Sequence, residues 1–228
     1  MTGNSATLQG VTVLRRDSNG KLFTTLAVPN LSIPSGVCIG IAGPSGAGKS
    51  TLLDVLAGLL VPTTGSVTWG ATPLSRFGDR ERAVWRRQNV GQVFQDFLLI
   101  PELSILANVV LPVSFSSLQT TTYQRQRALD LIASLGLKDA GRHAALLSRG
   151  EQQRVALARA LVMNPSIILA DEPTASLDQS SATLVADLLF DAARQRHATL
   201  IIASHDTAIL SRMDFVHRIV GGEVEASA

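Results

Sequence analysis

Gly43-Pro44-Ser45-Gly46-Ala47-Gly48-Lys49-Ser50-Thr51 is read through its flanks: the apolar run Val37-Cys38-Ile39-Gly40-Ile41-Ala42 precedes it, and the helical pattern Leu52-Leu53-Asp54-Val55-Leu56 comes after it. A buried strand, a glycine-rich turn and a helix N-terminus in that order make a phosphate cradle. Glycine lets successive backbone N–H groups converge on an anion, which the helix dipole also favours. Gly43 to Thr51 is therefore the candidate nucleotide-binding segment. Lys49 supplies a point charge that can reach the β- and γ-phosphates, and the Ser50 hydroxyl is placed to ligate the Mg2+ that shields them. A chance match in an ordinary loop would lack this combination of glycines, Lys-Ser pair and flanks.

The bulk properties set limits. At 228 residues the chain can bury a full core as one domain, with room for a compact insertion. A formal net charge of +2 is too small to suggest a nucleic-acid partner, although the pI of about 9.1 reflects an arginine-rich basic set. Cys38 is the single cysteine, so no intramolecular disulfide can form and a reducing, cytosolic setting is expected. Met1-Thr2-Gly3-Asn4-Ser5-Ala6 has neither the basic start nor the apolar core of a leader. Leu52 to Val61 and Phe97 to Val113 are apolar but interrupted and too short to cross a bilayer.

Residues 8 to 42 read as short β-segments separated by Ser18-Asn19-Gly20 and by Pro29, Pro34 and Gly36. Ser66-Val67-Thr68-Trp69 alternates as a strand, and Arg76 to Gln88 reads as a solvated helix of mixed charge. Val90-Gly91-Gln92-Val93-Phe94 is a short strand ending at Gln95. Apolar residues recur at three- and four-residue spacing from Gln124 to Leu135 and from Glu151 to Met163, which predicts two helices. Ile167-Ile168-Leu169-Ala170 and Thr199-Leu200-Ile201-Ile202-Ala203 read as strands covered on both faces, with a helix from about Ser180 to Arg196 between them. Phe215 to Val220 with Gly221-Gly222 suggests a final strand and turn. Strands alternating with helices imply a parallel sheet, and the segment from about 96 to 160 reads as a helical insertion.

Asp171-Glu172 ends the first of those buried strands. In a parallel sheet that end faces the same crevice as the phosphate loop, so Asp171 can hold the Mg2+ shell while Glu172 polarises an attacking water. Leu147-Ser148-Arg149-Gly150-Glu151 has capping-box spacing between Ser148 and Glu151, a helix-start signal found in many proteins. Its continuation Gln152-Gln153-Arg154-Val155-Ala156-Leu157-Ala158-Arg159-Ala160-Leu161 is more specific.

Here the chain resembles the ABC ATPase family, whose signature is L-S-G-G-Q with a similar helix after it. The remaining family motifs are present in order: Gln95 matches the Q-loop glutamine, Ala175-Ser176-Leu177-Asp178 the D-loop and His205 the switch histidine. The resemblance spans about Leu8 to Val220 and implies an α/β fold, a P-loop NTPase parallel sheet core with an N-terminal antiparallel β portion and an inserted α-helical subdomain. It would be a single ATPase domain over 1–228, with a nucleotide-binding core of about 1–95 and 161–228 and a helical subdomain of about 96–160. It further implies ATP and Mg2+ as cofactors, Glu172, His205, Gln95 and Lys49 as catalytic residues, and Ser50, Gln95 and Asp171 at the metal. Ser148, Gly150, Glu151 and Asp178 would complete the nucleotide pocket of a second ATPase subunit in a homodimer.

Phe94-Gln95-Asp96-Phe97-Leu98-Leu99-Ile100-Pro101-Glu102-Leu103-Ser104-Ile105 and Asn108-Val109-Val110-Leu111-Pro112 look like the branch of lipoprotein-releasing and tripartite-efflux ATPases. That branch implies an integral membrane permease subunit as partner, a place on the cytoplasmic face of the membrane, and ATP hydrolysis driving substrate movement. The alternative is a non-transport ABC ATPase transmitting force or signal to a cell-envelope or division machine. Phe97 to Ile100 would either line the groove for the membrane partner or pack the helical subdomain. Two departures stand out. Arg149 replaces the first glycine of the signature pair, and the aromatic that usually stacks on adenine is missing from Leu14-Arg15-Arg16-Asp17. Arg15 or Arg16 is the available substitute, since a planar guanidinium can lie over a purine.

Overall fold

A computed structural model describes residues 5–115 and 121–225. Met1 to Asn4, the first part of the stretch read for a leader, lie outside the described residues. Strands β1 (Ala6–Arg16) and β2 (Leu22–Ile33) run antiparallel, and β4 (Thr64–Trp69) pairs antiparallel with the other edge of β1. Asp17 makes their turn, its Oδ1 accepting from the N–H of Asn19 at 2.9 Å and of Lys21 at 2.8 Å. In place of short segments there are two strands of 11 and 12 residues. Pro29 does not separate them. It sits inside β2 opposite Gly10, whose φ of +59° interrupts the ladder between the pairs Gln9–Asn30 and Val11–Val28, so the missing proline N–H goes unused.

Strands β5 (Val90–Val93), β6 (Ile167–Asp171), β7 (Thr199–Ala203), β3 (Cys38–Ala42) and β8 (Phe215–Val220) are parallel neighbours. The two-residue β9 (Glu223–Val224) pairs with both β2 and β8, closing a sheet of order β4-β1-β2-β9-β8-β3-β7-β6-β5. Successive side chains of the central strands serve opposite faces. Ile167, Leu169, Ile201 and Ala203 join Leu52, Leu53, Leu56 and Trp69 in one cluster, while Ile168, Ala170, Leu200 and Ile202 join Val109, Leu157, Leu189 and Phe190 in the other. Burial on both faces is why these strands read as unbroken apolar runs.

Helix α1 (Lys49–Leu56) lies under the first cluster. On the second face, α3 (Ile105–Ser114), α4 (Thr122–Ser134) and α5 (Arg149–Leu161) pack on one another, and α5 packs on α6 (Gln179–Arg196). α3 escapes a periodicity reading because it carries almost no polar residues and contains Pro112. The buried Asn108 side chain ties it to the preceding loop, accepting from Ile100 N–H at 2.9 Å and donating to Ile100 O at 3.0 Å. The expected helix from Arg76 begins later. A short 3-10 turn spans Leu74–Arg76, and α2 (Asp79–Asn89) starts after Gly78, with Trp85 buried and Arg86 bonded to Gly58 O at 3.1 Å, so one face is packed rather than solvated. A short α7 (Thr207–Leu210) precedes β8.

Gly91 of β5 seats α5 on the sheet. A Cβ there would lie 2.4 Å from Ala160 O and 2.8 Å from Pro165 Cγ, both on structure that cannot swing away. Gly91→Ala is expected to lower Tm by about 3–10 °C through overpacking, read by calorimetry; an unchanged Tm would mean the α5–β5 packing is loose.

Candidate functional site

The loop between β3 and α1 owes its shape to steric exclusion. Gly43 and Gly48 adopt φ of +155° and +107°, and a Cβ would stand 2.3 Å from Ile219 O at the first and 2.6 Å from Thr25 O at the second. Gly48 caps α1 without a side chain, leaving the first-turn N–H groups directed at an incoming anion. A cleft of about 610 Å³ opens over this turn. Its walls include Pro44, Ser45, Gly46, Gly48, Lys49, Ser50 and Thr51, together with Gln95 after β5, Asp171 and Glu172 at the end of β6, and His205 after β7. Gly43 contributes through its carbonyl, and Ala47 turns into the core.

Charges in the cleft are tightly interlocked. Lys49 Nζ donates to Gly43 O at 2.8 Å and Pro44 O at 3.2 Å and forms an ion pair with Glu172 Oε1 at 3.3 Å, both side chains being largely buried. His205 Nδ1 lies 3.0 Å from both Glu172 oxygens. Glu172 itself holds a left-handed backbone, φ +43°, which is unusual for a residue with a side chain. Burial pushes the Asp171 carboxyl up, opposed by a hydrogen bond from Ser50, and its Oδ1 has no hydrogen-bond partner among the described residues. An unpaired buried oxygen beside a serine hydroxyl suits a hard divalent cation such as Mg2+. Among the described residues no three His, Cys, Asp or Glu cluster to cage a metal, so such an ion would draw its other ligands from phosphate and water.

Two cleft neighbours, Thr25 and Asp54, escape motif reading, whereas Arg15 is one of the two arginines expected near the base. Thr25 and Arg15 reach the wall from the antiparallel part of the sheet. Asp54, one helical turn after Ser50, has its carboxyl raised by burial and then by Asp171; the i, i+4 spacing from Ser50 is the signal that could have found it. The two arginine substitutes separate: Arg15 lines the cleft, whereas Arg16 Nη1 donates to Gly20 O at 2.9 Å in the turn.

Ser148, Gly150, Glu151 and Asp178 do not line this cleft. Ser148 and Glu151 cap α5 reciprocally, with Ser148 N–H donating to Glu151 Oε2 at 2.8 Å and Glu151 N–H to Ser148 Oγ at 3.3 Å. Those bonds, with Arg142 alongside, hold the Glu151 carboxyl below its usual range. Asp178 caps α6 through Ser181, and a Cβ on Gly150 would stand 3.1 Å from Ser181 Oγ, so the two helix N-termini lie side by side. Arg149 is exposed and perturbs neither cap.

The family model described as ABC transporter matches residues 26–175. The chain belongs to the ABC transporter family. It is 37% identical over 236 residues to the lipoprotein-releasing system ATP-binding protein LolD of Xanthomonas campestris pv. campestris (strain 8004), covering 100% of this chain and 98% of that one. It is 42% identical over 199 residues to the uncharacterized ABC transporter ATP-binding protein YbbA of Escherichia coli (strain K12), 87% of each. The dimeric post-hydrolysis structure of the ATP-binding cassette MJ0796, bound to ADP and Pi, superposes with a TM-score of 0.90 at 35% identity, covering 98% of this chain and 97% of that one. This protein is thus an ATP-binding, ATP-hydrolysing ABC cassette on an α/β fold.

The charge gathered in the cassette's cleft should weaken the ligand-free fold. Because folding raises the Asp171 pKa, ionisation above that pKa favours the unfolded chain. Asp171→Asn is expected to raise the ligand-free Tm by about 1–4 °C at neutral pH, and a lower Tm would show the carboxylate to be satisfied in the fold.

Proposed function

We propose that this cassette works as a head-to-tail pair of identical copies on the cytoplasmic face of a membrane, driving substrate movement through an integral membrane permease subunit. The observation that carries the reading is the separation within one chain: the phosphate cleft and the adjacent N-termini of α5 and α6 are distinct surfaces. In the pair, Ser148, Gly150 and Asp178 of one copy, with Glu151 bracing the cap, close over the phosphates held by the other. The dimeric form of MJ0796 supports such a pair, and likeness to LolD supports a membrane partner. No helix among the described residues is long and apolar enough to cross a membrane.

Within each cleft, the γ-phosphate of ATP competes with Glu172 for Lys49. When Lys49 turns to the phosphate, Glu172 is released to orient water, with His205 on its carboxylate and on the transferred phosphate. Ser50, Asp171 and Gln95 would hold Mg2+, which when bound would supply positive charge to shield the phosphates. The segment 96–160 acts as a helical subdomain against the core formed by 1–95 and 161–228.

The permease would be read by a second cleft, of about 720 Å³, walled by α2, β5, α3 and α5. The four residues after Asp96 divide: Phe97 is buried, Leu99 packs on the core, and Leu98 is 56% exposed on that cleft while Ile100 is 38% exposed. Leu98 is thus the contact residue and Phe97 a structural one.

Two measurements test this function. Glu172→Gln should retain ATP binding, accumulate as an ATP-bound dimer and turn over roughly two to four orders of magnitude more slowly, whereas Lys49→Ala should weaken ATP binding in a direct titration; wild-type turnover in the first variant removes Glu172 as the base. Leu98→Asp should release the cassette from its native membrane complex with its Tm unchanged, and retention of the complex would move the docking surface elsewhere.

A further inference from the structure

The phosphate cleft has an outer end that the catalytic groups do not occupy. From Lys49 and Ser50 the wall runs to Thr25 and Arg15, which belong to β2 and β1. This places the antiparallel part of the sheet beside whatever extends from a bound polyphosphate. Thr25 packs against the turn itself, since its carbonyl excludes a Cβ on Gly48.

The register of these two strands places an aromatic ring here. A bulge between Val13 and Leu14 leaves Thr25 unpaired, after which Leu14 faces Thr24, Arg15 faces Phe23 and Arg16 faces Leu22. Residues directly opposite in an antiparallel pair share a face, with Cβ atoms about 4.5–5.5 Å apart. Phe23 therefore stands beside Arg15, two residues before Thr25 on β2 and just outside the wall of the cleft itself. It is 46% exposed and belongs to neither hydrophobic cluster, so core packing does not account for it. Arg15 makes no described hydrogen bond that would fix its guanidinium elsewhere, in contrast to Arg16, which is held in the turn. A flat ring and a planar cation, side by side at the end of a phosphate cleft, form a surface suited to a nucleobase, which needs a π-face more than a particular hydrogen bond.

Resting on the nucleotide-site reading above, we propose that Phe23 of β2, flanked by Arg15 of β1, is the platform on which this cassette stacks the nucleotide base. The aromatic missing from Leu14 to Asp17 is replaced across the strand pair rather than along the strand. Stacking of this kind tolerates either purine, so adenine and guanine nucleotides are held with similar affinity.

The test is calorimetric titration of the full chain with ADP, GDP and inorganic pyrophosphate, none of which it turns over as ATP. Phe23→Ala should weaken ADP and GDP about tenfold each and leave pyrophosphate unchanged. Phe23→Tyr should restore both nucleotides. Phe23→Leu, which keeps an apolar side chain on β2, should keep the Tm yet fail to restore binding. ADP affinity within about twofold of wild type in Phe23→Ala, equal weakening of pyrophosphate, or full rescue by Phe23→Leu would each overturn the platform. Wild-type protein that binds neither ADP nor pyrophosphate would instead overturn the nucleotide site itself.

Discussion

Everything in this fold hangs on how the phosphate turn is wedged between the two halves of its sheet. Gly43 meets the carbonyl of Ile219 on β8, and Gly48 meets the carbonyl of Thr25 on β2. Gly222 N–H donates to Ala47 O at 3.1 Å, while Ala27 N–H donates to Gly222 O at 2.6 Å. One short turn thereby touches the antiparallel strands, the parallel strands and the two-residue link between them. Convergent N–H dipoles repel one another unless they are held, and here the holding is done by backbone, which has no rotamers to lose.

That constraint explains why the polar side chains of the cleft gather where they do. Five parallel strands end on the same side as the turn, so residues one or two positions beyond three of those ends meet over it: Gln95 past β5, Glu172 past β6 and His205 past β7. The left-handed Glu172 backbone is the local cost of turning a carboxylate back over the sheet edge, tolerated because Ala203 O receives the Glu172 N–H at 2.9 Å. Lys49 then neutralises that carboxylate, and His205 Nδ1 lies 3.0 Å from it on another side.

This geometry also decides which parts of the molecule were legible in the sequence. Glycine-turn-helix and strand-end carboxylates are local patterns, and a parallel sheet brings them together without further information. The α4 and α5 helices were legible because each has a polar face. α3 was not, because its apolar surface meets neighbours on most sides and Pro112 argues against any helix. Phe23 and Thr25 were invisible for a different reason: their places depend on a one-residue bulge between Val13 and Leu14, and a cross-strand register is a property of two segments at once. Asp54 could have been read from helical spacing alone.

Arg159 sits near the C-terminal end of α5 and donates through Nη1 to Leu98 O at 2.5 Å and through Nη2 to Phe97 O. Phe97 and Leu98 carry φ of +60° and +47°, a backbone that relaxes if its restraint is lost. At the other end of the same helix stands the Ser148 cap. An α-helix of 13 residues is a strut of about 20 Å that bends far less readily than the loops at its tips. Arg159 thus fastens the loop after Gln95 to the same rigid strut that carries Ser148, so the rim of the apolar cleft and the face where Ser148 and Gly150 lie are joined by one element.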